Sequence, residues 1–242
     1  MFDLTGKKAL VTGSTQGIGF AVAKALAERG AKIYVHGGTS LENSRLASER
    51  IPNSEYLAVN LEETDAADKI YKKTGDVDIL VANASVQFRT IWENVPYDEF
   101  EKQMKINVFS TLALIRKYSP KMKENGWGRI VTVGSVQQHR PNPAMPIYSA
   151  SKCAQMSLVE CISKELAPFG VTVNNVSPGV ITTPRNEKVL ADPQTYNAVM
   201  KKIPMNFPAV AEDCVGAFLL LCSEEGRYIT GSDIKVDGGM SL

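Results

Sequence analysis

The chain has 242 residues, carries 27 Lys and Arg against 26 Asp and Glu for a net charge of +1, and is 44% apolar. That length supports one substantial core, read as one domain over residues 1–242, and the near-neutral balance argues against a nucleic-acid or membrane surface. No apolar run is long enough to span a bilayer, the start MFDLTGKK lacks the apolar core of a secretion signal, and Cys153, Cys161, Cys214 and Cys222 form no CxxC pair, so a metal site or disulfide framework is not expected and a cytoplasmic location is.

Strand and helix patterns alternate along the chain. Strands are expected over 7–12, 32–36, 55–60, 79–82, 129–133, 172–176 and 233–236. Helices are expected over 17–29, 41–50, 66–74, 98–123, 149–167 and 211–223. Such alternation predicts right-handed βαβ units, hence an α/β, doubly wound fold with a seven-stranded parallel sheet covered on both faces. The stretch 177–208, with prolines at 178, 184, 193, 204 and 208, reads as irregular, and a substrate loop is expected at about 178–208. Ligands in such sheets sit beyond the carboxyl ends of the strands, where Gly13, Asn83, Ser135 and Pro178 should converge.

Two motifs carry chemistry. Thr12-Gly13-Ser14-Thr15-Gln16-Gly17-Ile18-Gly19 follows the apolar run Ala9-Leu10-Val11 and opens a helical pattern, the context a dinucleotide-binding turn requires. Gly13 permits the tight turn, Gly17 permits approach to a pyrophosphate, and Gly19 lets helix and strand pack closely, with the helix N-terminus facing the anion. The second is Tyr148-Ser-Ala-Ser-Lys152, a phenol and an ammonium on one helical face. A neighbouring cation pulls a phenol down from its ordinary pKa of ~10, so the pair suits proton exchange with a carbonyl oxygen.

Taken with Ser135 after the fifth strand, Asn107 in a helix and Pro178-Gly179 after the sixth strand, these residues resemble the short-chain dehydrogenase/reductase family over essentially the whole chain. The resemblance implies hydride transfer between a nicotinamide and a carbonyl or secondary alcohol. It implies catalytic roles for Ser135, which holds the substrate oxygen, Tyr148, the proton donor in reduction, Lys152, which lowers the tyrosine pKa and bonds the nicotinamide ribose, and Asn107, which holds a water leading to Lys152. Cofactor contacts are implied at Gly13, Ser14, Gln16, Gly17, Ile18, Gly19, Asn60, Leu61, Asn83, Ala84, Pro178, Gly179, Ile181 and Thr182. One departure is Ser85, where the family's Asn-Asn-Ala-Gly has glycine. It adds a hydroxyl beside the expected cleft, for cofactor, for substrate, or for neither. The other is Gln16, where arginine is frequent.

After the second strand the chain reads His36-Gly37-Gly38-Thr39-Ser40, with no acid before Glu42. An acid there grips the ribose of NAD and repels a 2′-phosphate, so its absence favours NADP over NAD, with Gly38, Thr39 and Ser40 receiving the phosphate and Arg45 within reach. For the substrate the candidates are Ser135, Gln137, Ser85, Gln87 and Arg185. Their polarity suits a sugar, polyol or hydroxy acid, and Arg89, Arg140 or Arg185 is available for an anionic group. Two other readings stay open: a 3-oxoacyl thioester reductase, needing a basic surface near the pocket, and a protein that senses NADP without turnover. A homotetramer or homodimer is expected from the resemblance.

Overall fold

The computed structural model describes residues 1–242, apart from the side chains of Lys188 and Val189. In chain order the elements are β1 (Lys8–Thr12), α1 (Gly17–Glu28), β2 (Lys32–Gly37), α2 (Leu41–Ser48), β3 (Ser54–Ala58), α3 (Ala66–Thr74), β4 (Ile79–Ala82), α4 (Tyr97–Met104), α5 (Ser110–Glu124), β5 (Gly128–Val133), α6 (Pro146–Leu166), β6 (Val171–Pro178), β7 (Ile181–Thr182), α7 (Glu187–Ala191), α8 (Pro193–Met200), β8 (Ala209–Val210), α9 (Val215–Cys222) and β9 (Asp233–Val236).

Successive side chains on a strand point to opposite faces, so a strand that is apolar throughout must be covered twice. Ala9 and Val11 of β1 and Ile79 and Val81 of β4 enter one core, with Val22 and Leu26 of α1 and Phe218 of α9. Leu10 and Leu80 enter the other, with Leu114 and Tyr118 of α5 and Val159 of α6. The seven-stranded sheet has the order β3-β2-β1-β4-β5-β6-β9, and every pair is parallel. The strand order reverses between β1 and β4, which pair through Leu10 with Leu80 and Val11 with Val81. That reversal opens the crevice where a ligand fits. The α/β expectation is met.

Two segments differ from the sequence expectation. The helix expected over 98–123 is α4 and α5 joined by a π-helical turn at Lys105–Phe109, with Asn107 at its centre. Hydrogen-bond spacing, which side-chain periodicity does not report, sets such a turn apart. The stretch 177–208 is not irregular throughout: it contains β7, α7 and α8. Pro193 stands in the first turn of α8, where its missing N–H costs nothing, and Asp192 accepts the Thr195 N–H at 2.8 Å as the cap. Proline here starts a helix instead of breaking one.

His36, at the end of β2, ties three strands together. Its side chain is buried, with Nδ1 accepting the Gly13 N–H at 3.3 Å and Nε2 3.0 Å from the Val59 carbonyl. A carbonyl only accepts, so Nε2 carries the proton and the ring is neutral. Burial pushes its pKa from 6.5 down to about 4. Above the unfolded value of 6.5 both states are neutral and the contribution is complete; between there and about 4 only the unfolded chain takes up the proton, so stability falls with acidification. The loss across that window is roughly 3 kcal/mol. Denaturant titrations at pH 7 and pH 4.5 should show His36→Gln losing markedly less stability on acidification than the wild type. Equal losses would remove His36 as the titrating group.

Candidate active site

The β1–α1 turn is shaped by positions where a side chain does not fit. Gly13 has φ +63°, and a Cβ there would lie 3.0 Å from the Ala84 Cα. Gly17 has φ +58°, with Thr183 against it, and a side chain at Gly19 would overlap the Asn83 amide and the Gly13 carbonyl. Asn83 fastens this turn to β4: its Nδ2 donates to the Thr12 and Gly13 carbonyls at 2.8 and 3.0 Å. Thr12 Oγ1 accepts the N–H groups of both Asn83 and Ala84 at 3.0 Å. Asn83 and Ala84 therefore set the shape of the crevice beside the turn. Ile18 is half-buried at the start of α1 and Gln16, its N-cap, is exposed.

Ser14 does not face the crevice. It is fully buried, its hydroxyl donates to the Val11 carbonyl at 2.7 Å and accepts the His36 N–H at 3.0 Å, so it braces the turn from behind. Thr15 is the residue that reaches the end of β2: its methyl would be 3.2 Å from a Cβ on Gly37. Beyond β2, Gly38 and Thr39 are exposed and a Cβ on Gly38 would meet nothing within 4 Å. Ser40 caps α2 by accepting the Asn43 N–H at 3.1 Å. Arg45 is held by Glu42 and Glu49, so it does not turn toward this opening as expected. Asn60 closes on Glu62, accepting its N–H at 3.1 Å, and the Leu61 side chain is in the core, leaving only its backbone to a ligand.

On the other side of the crevice, Pro178 ends β6, and a Cβ on Gly179 would lie 2.7 Å from the Asp237 Cα. Ile181 is buried in the core. Thr182 is exposed, and Thr183, one residue on, is the threonine lying against Gly17. The correction follows from strand alternation: β7 pairs with β8, Thr182 opposite Val210, and turns the hydroxyl at 182 outward.

The proton-handling groups meet at the ends of β5 and α6. Ser135 follows β5 in extended conformation, accepts the Gln137 N–H at 3.2 Å, and donates its own N–H to Gln138 Oε1 at 3.3 Å, a capping box that fixes its hydroxyl. Gln138 is held in turn by Asp233 at 3.0 Å. Pro146 starts α6, which places Tyr148 in its first turn and Lys152 one turn later, both buried. Burial pushes the Tyr148 phenol up, while Arg185, Ser135 and Ser85 oppose that rise. Burial also pushes Lys152 down to about 7, with the Arg185 charge adding to the effect. Two cations therefore stand near Tyr148: Arg185, whose charge opposes the rise, and Lys152, whose Nζ lies 5.7 Å from the phenol ring centre.

Lys152 is gripped by two acceptors: Nζ donates to the Val133 carbonyl at 2.6 Å and to Gln155 Oε1 at 3.0 Å. Gln155, also buried, donates to Thr111 Oγ1 at 3.4 Å, and Thr111 donates to the Asn107 carbonyl at 3.3 Å. Asn107 therefore joins this chain through its backbone. Its side chain is committed elsewhere, pairing with both the N–H and the carbonyl of Val86 at 2.9 Å and donating to Ser151 at 3.0 Å. Among the substrate candidates, Ser85 and Arg185 come together, Arg185 donating to the Ser85 hydroxyl at 3.0 Å and carbonyl at 2.7 Å. Gln137 is half-buried with its Oε1 accepting from Ser149 at 3.0 Å, and Gln87 is half-buried after β4. Sequence reasoning missed Thr15, Thr183, Thr111 and Gln155. A glutamine three residues after Lys152, on the same face of the helix, was the available signal for the last.

A hydrogen bond to a charged group contributes about 1.5–3 kcal/mol. Gln155→Leu should therefore lower the Lys152 pKa by roughly one to two pH units, and Gln155→Glu should raise it. Nitrogen NMR of the lysine amine, or the pH dependence of its chemical labelling, reads this directly. A Lys152 titration unmoved in both variants would show that Gln155 does not hold the ammonium.

The family profile described as Enoyl-(Acyl carrier protein) reductase matches residues 13–241. The chain is 36% identical over 248 aligned positions to the glucose 1-dehydrogenase of Gluconobacter oxydans (strain 621H), covering 98% of this chain and 92% of that one. It is 32% identical over 242 residues, the whole of both chains, to the 3-oxoacyl-[acyl-carrier-protein] reductase of Rickettsia prowazekii (strain Madrid E). The crystal structure of a 3-oxoacyl (acyl-carrier-protein) reductase from Agrobacterium tumefaciens C58 with NADP bound superposes with a TM-score of 0.94 at 34% identity, covering 98% of this chain and 95% of that one. With the likeness running the length of the chain in sequence and in fold, the protein belongs to the short-chain dehydrogenase/reductase family of NAD(P)-dependent oxidoreductases.

Proposed function

We propose that the protein is an NADP-dependent oxidoreductase that interconverts a carbonyl and a secondary alcohol on a small polar substrate, a sugar, polyol or hydroxy acid. The observation that carries this reading is the convergence of the Ser135 and Tyr148 hydroxyls beside the buried Lys152, across the crevice from the glycine turn. The turn fits a dinucleotide, since side chains are excluded at Gly13 and Gly19 and α1 presents its N-terminus there. When bound, the nicotinamide supplies or accepts the hydride. The chain's own residues do the rest. Ser135 holds the substrate oxygen. Tyr148, whose burial keeps its proton on, gives that proton to the oxygen as negative charge develops. Lys152 is held beside the phenol by the Val133 carbonyl and Gln155, and Gln155 is in turn positioned by Thr111 and the Asn107 backbone.

The preference for NADP rests on the open, acid-free end of β2, where Thr39 and Thr15 offer hydroxyls and Gly38 leaves room. The small substrate is supported by the half-buried Gln87 and Gln137 and by the kinship with a glucose dehydrogenase. The 3-oxoacyl thioester reading draws on the reductase relatives, yet Arg129, one of the basic residues it would use, is 2% exposed and bound to the Ser223 carbonyl and Glu224 at the start of β5, the end away from the crevice. Segment 178–208 serves as the substrate loop of one domain covering 1–242. A homotetramer or homodimer in the cytoplasm completes the proposal. The exposed Trp92, Tyr97, Phe100 and Phe109, before and along α4 and its π turn, support assembly. No helix among the described residues is long and apolar enough to cross a membrane.

Tyr148→Phe should reduce turnover by roughly 10²–10⁴-fold while leaving NADPH binding, read by its fluorescence, nearly unchanged. Undiminished turnover in that variant would refute the proton-donor role. NADPH binding with no turnover of any carbonyl by the wild type would point to the sensing protein instead.

A further inference from the structure

Arg185 and Ser85 are 100 positions apart and meet in a hydrogen bond, and both act on the Tyr148 phenol. Arg185 lies just beyond β7, and both of its terminal nitrogens donate to Ser85, one to the hydroxyl at 3.0 Å and one to the carbonyl at 2.7 Å. Ser85 follows the Asn83–Ala84 corner of β4, so the guanidinium is tied to the sheet end instead of moving freely with its loop. Its charge is felt at both Tyr148 and Lys152. Other arginines are engaged differently. Arg45, Arg129 and Arg227 each pair with glutamate, and Arg140 donates to the Met240 carbonyl at 2.7 Å. Among the described residues no carboxylate pairs with Arg185.

We propose that Arg185, braced by Ser85 beside Tyr148, is the binding site for a carboxylate on the substrate, so that the enzyme acts on hydroxy acids and keto acids in preference to neutral sugars and polyols. This rests on the oxidoreductase reading above. A guanidinium has five N–H donors in a planar fork; two are used on Ser85, and three remain. A carboxylate matches that fork and supplies the counter-charge that Arg185 does not find among the described residues. Two cations in one cleft repel, which is why Arg185 makes it harder for Lys152 to stay charged. A bound carboxylate offsets that repulsion, so anionic substrates favour the protonated Lys152. Ser85→Gly would keep the carbonyl acceptor and lose the hydroxyl, loosening the arginine without removing it. The other anion within reach is the pyrophosphate of the cofactor, since Thr183, two residues before Arg185, lies against Gly17.

Tartrate and threitol share a four-carbon dihydroxy skeleton and differ in carboxylate against hydroxymethyl ends. Calorimetric titration of each, with and without saturating NADP⁺, tests the site without needing the natural substrate. Tartrate should bind the wild type at least about tenfold more tightly than threitol. That preference should vanish in Arg185→Met, persist in part in Arg185→Lys, and weaken in Ser85→Gly. Equal binding of the two probes by the wild type, or an undiminished preference in Arg185→Met, would overturn the proposal. So would a loss of NADPH affinity in Arg185→Met with the tartrate preference intact, which would assign the arginine to the pyrophosphate. NADPH titration of the wild type is scored separately: failure there would sink the oxidoreductase reading, whereas tartrate discrimination in the cofactor-free protein still decides the carboxylate site.

Discussion

An ammonium group with 1% exposure is the constraint around which this crevice is arranged. Removing a charge from water costs several kcal/mol unless acceptors replace the lost solvent. Lys152 finds one at the last carbonyl of β5 and another at Gln155 on its own helix. The first acceptor fixes α6 against the sheet end, and with it Tyr148 one turn earlier. The second carries the demand onward to Thr111 on α5 and the backbone of Asn107. The site's geometry is thus inherited from strand ends and helix starts rather than from loops, which suits groups that must hold position to fractions of an ångström.

Asn107 shows how a neighbouring element is recruited to the same purpose. Its side chain bonds both main-chain groups of Val86 and reaches Ser151 on α6, so one amide joins the segment after β4 to the helix bearing the tyrosine and lysine. The π turn at Lys105–Phe109 sets the residue at this junction and separates α4 from α5 in phase. Asn83 does the equivalent work between β4 and the glycine turn. Two asparagines therefore connect the nucleotide side of the crevice with the proton-handling side.

Much of this was legible in the sequence because the signals were local. Glycines at 13, 17 and 19 reflect steric exclusion along a few residues, and the doubly apolar strands announce a covered parallel sheet. Tyr148 and Lys152 are one helical turn apart, so their shared face followed from periodicity. What stayed hidden depended on direction or on distant partners. Ser14 reads as a turn serine until its hydroxyl is seen facing His36 and Val11. Thr182 and Thr183 are adjacent and chemically alike, and only the pairing of β7 with β8 separates them. Arg45 has glutamates three residues before and four after it on the same helical face, and they hold its guanidinium away from the end of β2. The Ser85–Arg185 pair joins residues 100 positions apart in the chain, and no periodicity connects its members.

The tautomer of His36 has a consequence for how an anion can be cradled. Because Nδ1 is the acceptor, the Gly13 N–H is already taken, and the Ser14 N–H is taken by the His36 carbonyl at 3.0 Å. The Phe20 N–H is likewise bonded, to the Gln16 carbonyl at 3.3 Å. Among the described residues Thr15 and Gln16 donate to no backbone carbonyl, and the opening amides of a helix have no acceptor within it, so the N–H groups from Thr15 to Gly19 are those left to the ligand. The anion's seat is therefore defined by subtraction: a neutral imidazole occupies the start of the loop and directs the negative charge onto the amides that run from Thr15 into the first turn of α1.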